Sequence, residues 1–103
     1  MNEDRLTEKL AAEVLGWRTA PGRLIKPDRG WTPRWQFDPF TKIDDALRLV
    51  DSSASRYTVT ADRKKGFSAR VHVGRRIGKA SGESFARTIT MALAYALGLE
   101  VDA

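Results

Sequence analysis

Between Tyr57 and Val73 the chain alternates apolar with polar residues in two runs. Tyr57, Val59 and Ala61 are interleaved with Thr58 and Thr60, and Phe67, Ala69, Val71 and Val73 with Ser68, Arg70 and His72. A two-residue period marks a half-buried strand. The link Asp62-Arg63-Lys64-Lys65-Gly66 is short and ends in glycine, so the two runs read as a β-hairpin. A chain that contains this hairpin is committed to an antiparallel sheet with one polar face, and the rest of the sequence must supply the cover for the other.

Helices are the cover that the sequence offers. Glu3 to Leu15 places Leu6, Leu10, Ala11 and Val14 on one stripe with Asp4, Lys9 and Glu13 opposite; Gly16 is the stop, and Trp17 then packs back on the helix. A second helix carries Ile43, Ala46, Leu47 and Val50 on one face. Its start is written twice, as Thr41 with Asp44 in a variant capping box, or one turn earlier as an Asp38 cap with Pro39 in the first turn. Asp44 and Asp45 suit the helix dipole in either case. The last helix runs from Glu83 to Leu97, with Ser81 as cap and Gly98 as stop. From Phe85 to Leu97 its only polar residues are Arg87, Thr88 and Thr90, so it must be buried on more than one side, either between the sheet and another helix or in a subunit contact.

Elsewhere the pattern is weaker. Arg18 to Gly30 contains Pro21, Gly22, Pro27 and Gly30 and reads as an irregular loop. Trp31, Trp35 and Phe37 alternate with Thr32, Arg34 and Gln36 as a strand, which Pro33 places at a sheet edge. Gly78 to Ser84 reads as a break. The expectation is a single α+β domain over residues 1–103, a small antiparallel sheet of hairpin plus edge strand packed by three helices.

Composition narrows the classes of function. With 42% hydrophobic and 30% charged residues in 103, the chain can bury one modest core. It has no cysteine, which excludes a disulfide framework, a zinc ribbon and thiol redox chemistry. The first residues are acidic and amphipathic, unlike a signal peptide, and no apolar run approaches a membrane span. A cytoplasmic location with no membrane partner is the resulting expectation.

The net charge of +5 is unevenly distributed. Residues 17–35 carry Arg18, Arg23, Lys26, Arg29 and Arg34 against Asp28, a balance of +4, and residues 56–79 carry eight cations against Asp62, a balance of +7. Such a layout attracts phosphate, on nucleic acid or on a nucleotide. The candidate contacts are Arg63, Lys64, Lys65, Arg70, Arg75, Arg76 and Lys79, with Trp31 and Trp35 available to stack on a base. Against this stands a plain soluble basic surface with the tryptophans in the core.

Other candidates have simpler readings. Gly74 to Ser84 is rich in glycine and positive charge, and free amides at a helix start there could hold an anion with Arg76 and Lys79, but Ala80 follows Lys79 where a P-loop needs a hydroxyl. His72 is the only histidine and falls on the polar phase of its strand. Asp38, Asp44, Asp45 and Asp51 do not have the spacing of a calcium loop. No catalytic residue, metal or cofactor is implied, and a binding protein is expected rather than an enzyme.

Three blocks together resemble the phage ABA-sandwich domain family, small proteins of tailed phages and prophages. They are Leu10-Ala11-Ala12-Glu13-Val14-Leu15-Gly16-Trp17, the run Phe37-Asp38-Pro39-Phe40-Thr41-Lys42-Ile43-Asp44-Asp45-Ala46, and the alanine-rich Ala86 to Leu97. The resemblance implies an α-β-α arrangement. It is reconciled with a polar sheet face if the tryptophan-bearing loop or a second subunit covers that face. It brings no catalytic or binding residues, because the family has no established activity. A protein-interaction or self-assembly module using the apolar last helix is the alternative to phosphate binding.

Overall fold

The alanine-rich stretch forms α3 (Phe85–Ala96), which occupies the middle of the molecule. Ala86, Thr88, Ile89, Thr90, Ala92, Leu93, Ala94 and Ala96 are all buried along it. The computed structural model describes residues 3–99. One surface of α3 is covered by an antiparallel sheet of β4 (Arg56–Asp62), β5 (Gly66–Val73) and β6 (Arg76–Gly82), ordered β4-β5-β6, with β5 and β6 against the helix. Another is covered by α2 (Ile43–Ser53). Burial on several sides is thus met largely within one chain, with Tyr95 of α3 left exposed.

The approach of α3 to the sheet is close because both surfaces are small. A Cβ at Gly78 of β6 would overlap the carbonyl oxygen of Ala92 and lie 2.5 Å from the amide nitrogen of Ala96. Glycine is therefore required there by packing. Ala69 and Val71 of β5 fill the remainder of the inner face with Ile89 and Leu93, all buried. Each large side chain so enclosed contributes on the order of 1.5–3 kcal/mol.

The first helix, α1 (Glu3–Leu10), continues into a wider π-helical turn over Ala11–Leu15. Gly16 ends it in the left-handed conformation at φ 71°, as its place in the sequence implies. Trp17 then folds back, its amide donating to the Ala11 carbonyl at 3.2 Å and its ring meeting Phe37 at 5.0 Å between centroids.

The stretch expected as an irregular loop is ordered. It forms β1 (Arg18–Ala20) and β2 (Arg23–Ile25), and β3 (Trp31–Pro33) completes a second antiparallel sheet in the order β1-β2-β3. Strands of three residues are too short to display a period, and only Leu24 among them is fully buried. The strand expected to reach Phe37 stops at Pro33, where a 3₁₀ turn over Arg34–Gln36 takes over. Pro33 does lie on an edge strand, but of this separate sheet and not, as the sequence implies, of the one that contains the β4–β5 hairpin. Arg34 ties this sheet to α1, donating to the Asp4 carbonyl at 2.7 Å and lying 3.4 and 3.5 Å from the Asp4 and Glu8 carboxylates.

The start of α2 resolves in favour of neither simple cap. Asp38 organises a separate turn, accepting from the Phe40 amide and the Thr41 hydroxyl, while Asp45 reaches back to the Asp38 amide at 2.9 Å. Thr41 is thus a donor to Asp38 and does not cap the helix. The buried face is Ala46, Leu49 and Val50; Ile43 is exposed, one step round from the expected stripe. At α3 the cap is Ser84, which accepts from the Arg87 amide at 3.3 Å, and not Ser81. Ser81 belongs to β6, because the expected break over Gly78–Ser84 is in fact mostly strand.

Candidate functional site

β4 and β5 pair in the register Thr58↔Arg70 and Thr60↔Ser68, and β5 with β6 in the register Arg70↔Lys79 and Ser68↔Ser81. All six side chains belong to the polar phase of their strands, opposite the face that meets α3. They are exposed and line a shallow depression of about 520 Å³. Arg70 and Lys79 are direct cross-strand neighbours, the arrangement in which like charges destabilise a sheet. No carboxylate pairs with either among the described residues, and none lines the depression. Two unopposed cations, with Thr58 beside them and Thr60, Ser68 and Ser81 in the next row, can donate to an anion's oxygens by charge and by hydrogen bonds together.

The remaining expected contacts are scattered around this face. Arg63, Lys64 and Lys65 form the β4–β5 turn, where the Asp62 carboxylate accepts from the Lys64 and Lys65 amides at 2.8 and 3.0 Å. Arg75 sits in the β5–β6 turn at the opposite end of the sheet, about 25 Å away along an eight-residue strand. Arg76 is held structurally, its guanidinium donating to the Leu97 carbonyl at the end of α3 at 3.0 Å. The anion site expected at the helix start between Gly74 and Ser84 does not form, because β6 takes up that backbone.

Trp31 and Trp35 are not core residues, being 57% and 72% exposed, while Trp17 is buried. Arg23 lies over the Trp31 ring at 5.5 Å. They belong to the β1–β3 region and do not line the depression that carries Arg70 and Lys79. Nor does the tryptophan-bearing segment cover the polar face of β4–β6, whose outward side chains are mostly exposed and whose depression is lined by β4–β6 residues.

His72 shares the polar phase of β5 with Arg70, in register with Arg56 and Ile77. The hydroxyls of Thr58, Thr60, Ser68 and Ser81 were not among the expected contacts. Three of them are visible in the alternation of the hairpin, and the fourth, with the Arg70–Lys79 juxtaposition, depends on β6. No helix among the described residues is long and apolar enough to cross a membrane.

No family model matches the sequence. No curated protein matches it either. Among solved structures, the 2.0 Å crystal structure of a phage protein from Bacillus cereus ATCC 14579 has a TM-score of 0.76 over 99% of this chain and 93% of that one, at 17% identity. The likeness is one of fold, and it supports the α+β class, here with two small antiparallel sheets.

Proposed function

We propose that the chain is a phage- or prophage-derived accessory protein of the ABA-sandwich kind that acts in the cytoplasm, binds rather than catalyses, and holds a phosphate-bearing ligand on the outer face of β4–β6. The observation that carries the binding reading is the uncompensated Arg70–Lys79 pair flanked by the hydroxyls of Thr58, Thr60, Ser68 and Ser81. The depression is within the size range of small-ligand sites. A shallow depression on an exposed sheet face equally suits a single strand of nucleic acid, with Arg63, Lys64 and Lys65 extending the cationic track. The origin rests on the three sequence blocks and on the likeness to the phage protein from Bacillus cereus.

The test is fluorescence anisotropy with a labelled oligothymidylate and a labelled adenosine nucleotide, at about 50 mM and about 200 mM salt. Binding that weakens with salt and falls at least about tenfold in R70E/K79E, with circular dichroism unchanged, is the expected result. Neutralising Arg63, Lys64 and Lys65 separates the two sources: it weakens the oligonucleotide and spares the nucleotide. Absence of binding to both probes at low salt, or indifference to the double reversal, refutes the proposal.

A further inference from the structure

β4 is an edge strand, hydrogen-bonded to β5 on one side and to no other described strand on the other. Its seven residues, Arg56-Tyr57-Thr58-Val59-Thr60-Ala61-Asp62, are exposed except for the half-buried Val59. Natural edges are usually blunted by a charge in mid-strand, a proline, a bulge or a cover. The opposite edge, β6, has Lys79 at its centre and glycines at 78 and 82. β4 has none of these. Its five central residues are uncharged and mostly β-branched or aromatic, the composition that pairs most readily.

The order of those residues is also self-complementary. Two copies of β4 laid antiparallel about a two-fold axis at Val59 bring Val59 onto Val59 of the second copy, Thr58 onto its Thr60, Tyr57 onto its Ala61, and Arg56 onto its Asp62. Every pair falls on one face, because partners in this register share the same strand phase. Opposite charges meet twice, hydroxyls meet hydroxyls, and the Tyr57 ring, 38% exposed and held by its hydroxyl 3.4 Å from Asp51, lies over a small neighbour. We infer that the chain forms a symmetric dimer through β4, giving one six-stranded sheet in the order β6-β5-β4-β4-β5-β6. The occupant is a second copy because the charge pattern matches its own reverse, as an isologous contact requires. A continuous outer face then carries two Arg70–Lys79 pairs, although the dimer does not depend on either of them binding phosphate.

Sedimentation equilibrium of the full chain tests this directly. A dimer mass is expected, with the dissociation constant raised about tenfold or more by R56E, which sets two carboxylates opposite each other at both ends. T58K/T60K places lysine opposite lysine on an exposed face and is expected to give a monomer with unchanged circular dichroism. Register is read by cross-linking. The chain contains no cysteine, so V59C introduces one thiol, and across the axis its partner lies within disulfide reach. Under mild oxidation V59C is expected to form a covalent dimer and S68C, on the central strand, is not. A monomer at millimolar concentration, a dimer that survives T58K/T60K, or cross-linking of V59C no greater than that of S68C overturns the inference.

Discussion

Gly78→Ala probes the layering of helix on sheet at its tightest point. The added Cβ would lie 2.5 Å from the Ala96 nitrogen and overlap the Ala92 carbonyl oxygen, whereas ordinary contacts begin at 3.4 Å. Both obstructions are backbone, so no side chain can rotate away, and α3 has to lift from β6 by about 1 Å. A gap of that size forfeits roughly a quarter to a half of the dispersion well for the atoms facing it. Those atoms belong to Ala69, Val71, Ile89 and Leu93, which have almost no exposure. The expected destabilisation is at the upper end of overpacking, about 3 kcal/mol. In a domain of this length that lowers Tm by roughly 10–20 °C. Urea unfolding followed by circular dichroism measures it as a fall in midpoint at constant slope. Gly74→Ala is the control. Gly74 has φ 60° with nothing within 4 Å of the added carbon, so only a left-handed backbone penalty of about 1–2 kcal/mol applies. Gly78 has no positive φ, and its penalty is purely steric. A Gly78→Ala protein within about 1 kcal/mol of wild type, or one no worse than Gly74→Ala, would refute the reasoning.

Two buried hydroxyls on α3 are expected to respond in opposite directions. Thr90→Val removes a 2.8 Å bond to the Pro39 carbonyl and is expected to lose about 1–3 kcal/mol, while Thr88→Val removes a buried hydroxyl with no hydrogen-bond partner and is expected to be neutral or to gain up to about 1 kcal/mol, both read by urea unfolding. The exposure of Trp31 and Trp35 is checked by acrylamide quenching of tryptophan fluorescence. Most of the quenchable signal is expected to vanish in W31F/W35F, leaving the buried Trp17, and a wild-type protein that resists quenching contradicts the placement.

The parts of the fold legible in the sequence are those whose signal is local. Within the β4–β5 hairpin, β5 shows because Ala69 and Val71 are buried while Ser68 and Arg70 are wet, whereas β4 alternates although only Val59 is even half-buried. The end of α1 shows because Gly16 meets a backbone demand that only the local chain imposes. What was hidden is set by tertiary contact. β6 reads as a break because Gly78 stands where an inward-facing side chain would reveal the period, and that glycine is demanded by a helix distant in sequence. Trp31 and Trp35 have the alternation of core residues yet face water, since β3 ends at Pro33 and the following turn rotates Trp35 outward. Of the candidate site, the cations were legible from charge alone. Their sorting into an outward pair, Arg70 and Lys79, a cap for α3, Arg76, and loose turn residues required the register of β6.

The central place of α3 has a consequence for the order of events during synthesis. The ribosome delivers α1, both small sheets and α2 before the helix that supplies the common surface of α2 and the β4–β6 sheet. At about 5–20 residues per second, the first 84 residues emerge over several seconds with Leu49, Val50, Ala69 and Val71 lacking a lasting partner. The contact between α2 and the β4–β6 sheet is thus completed only when residues 85–96 come between them.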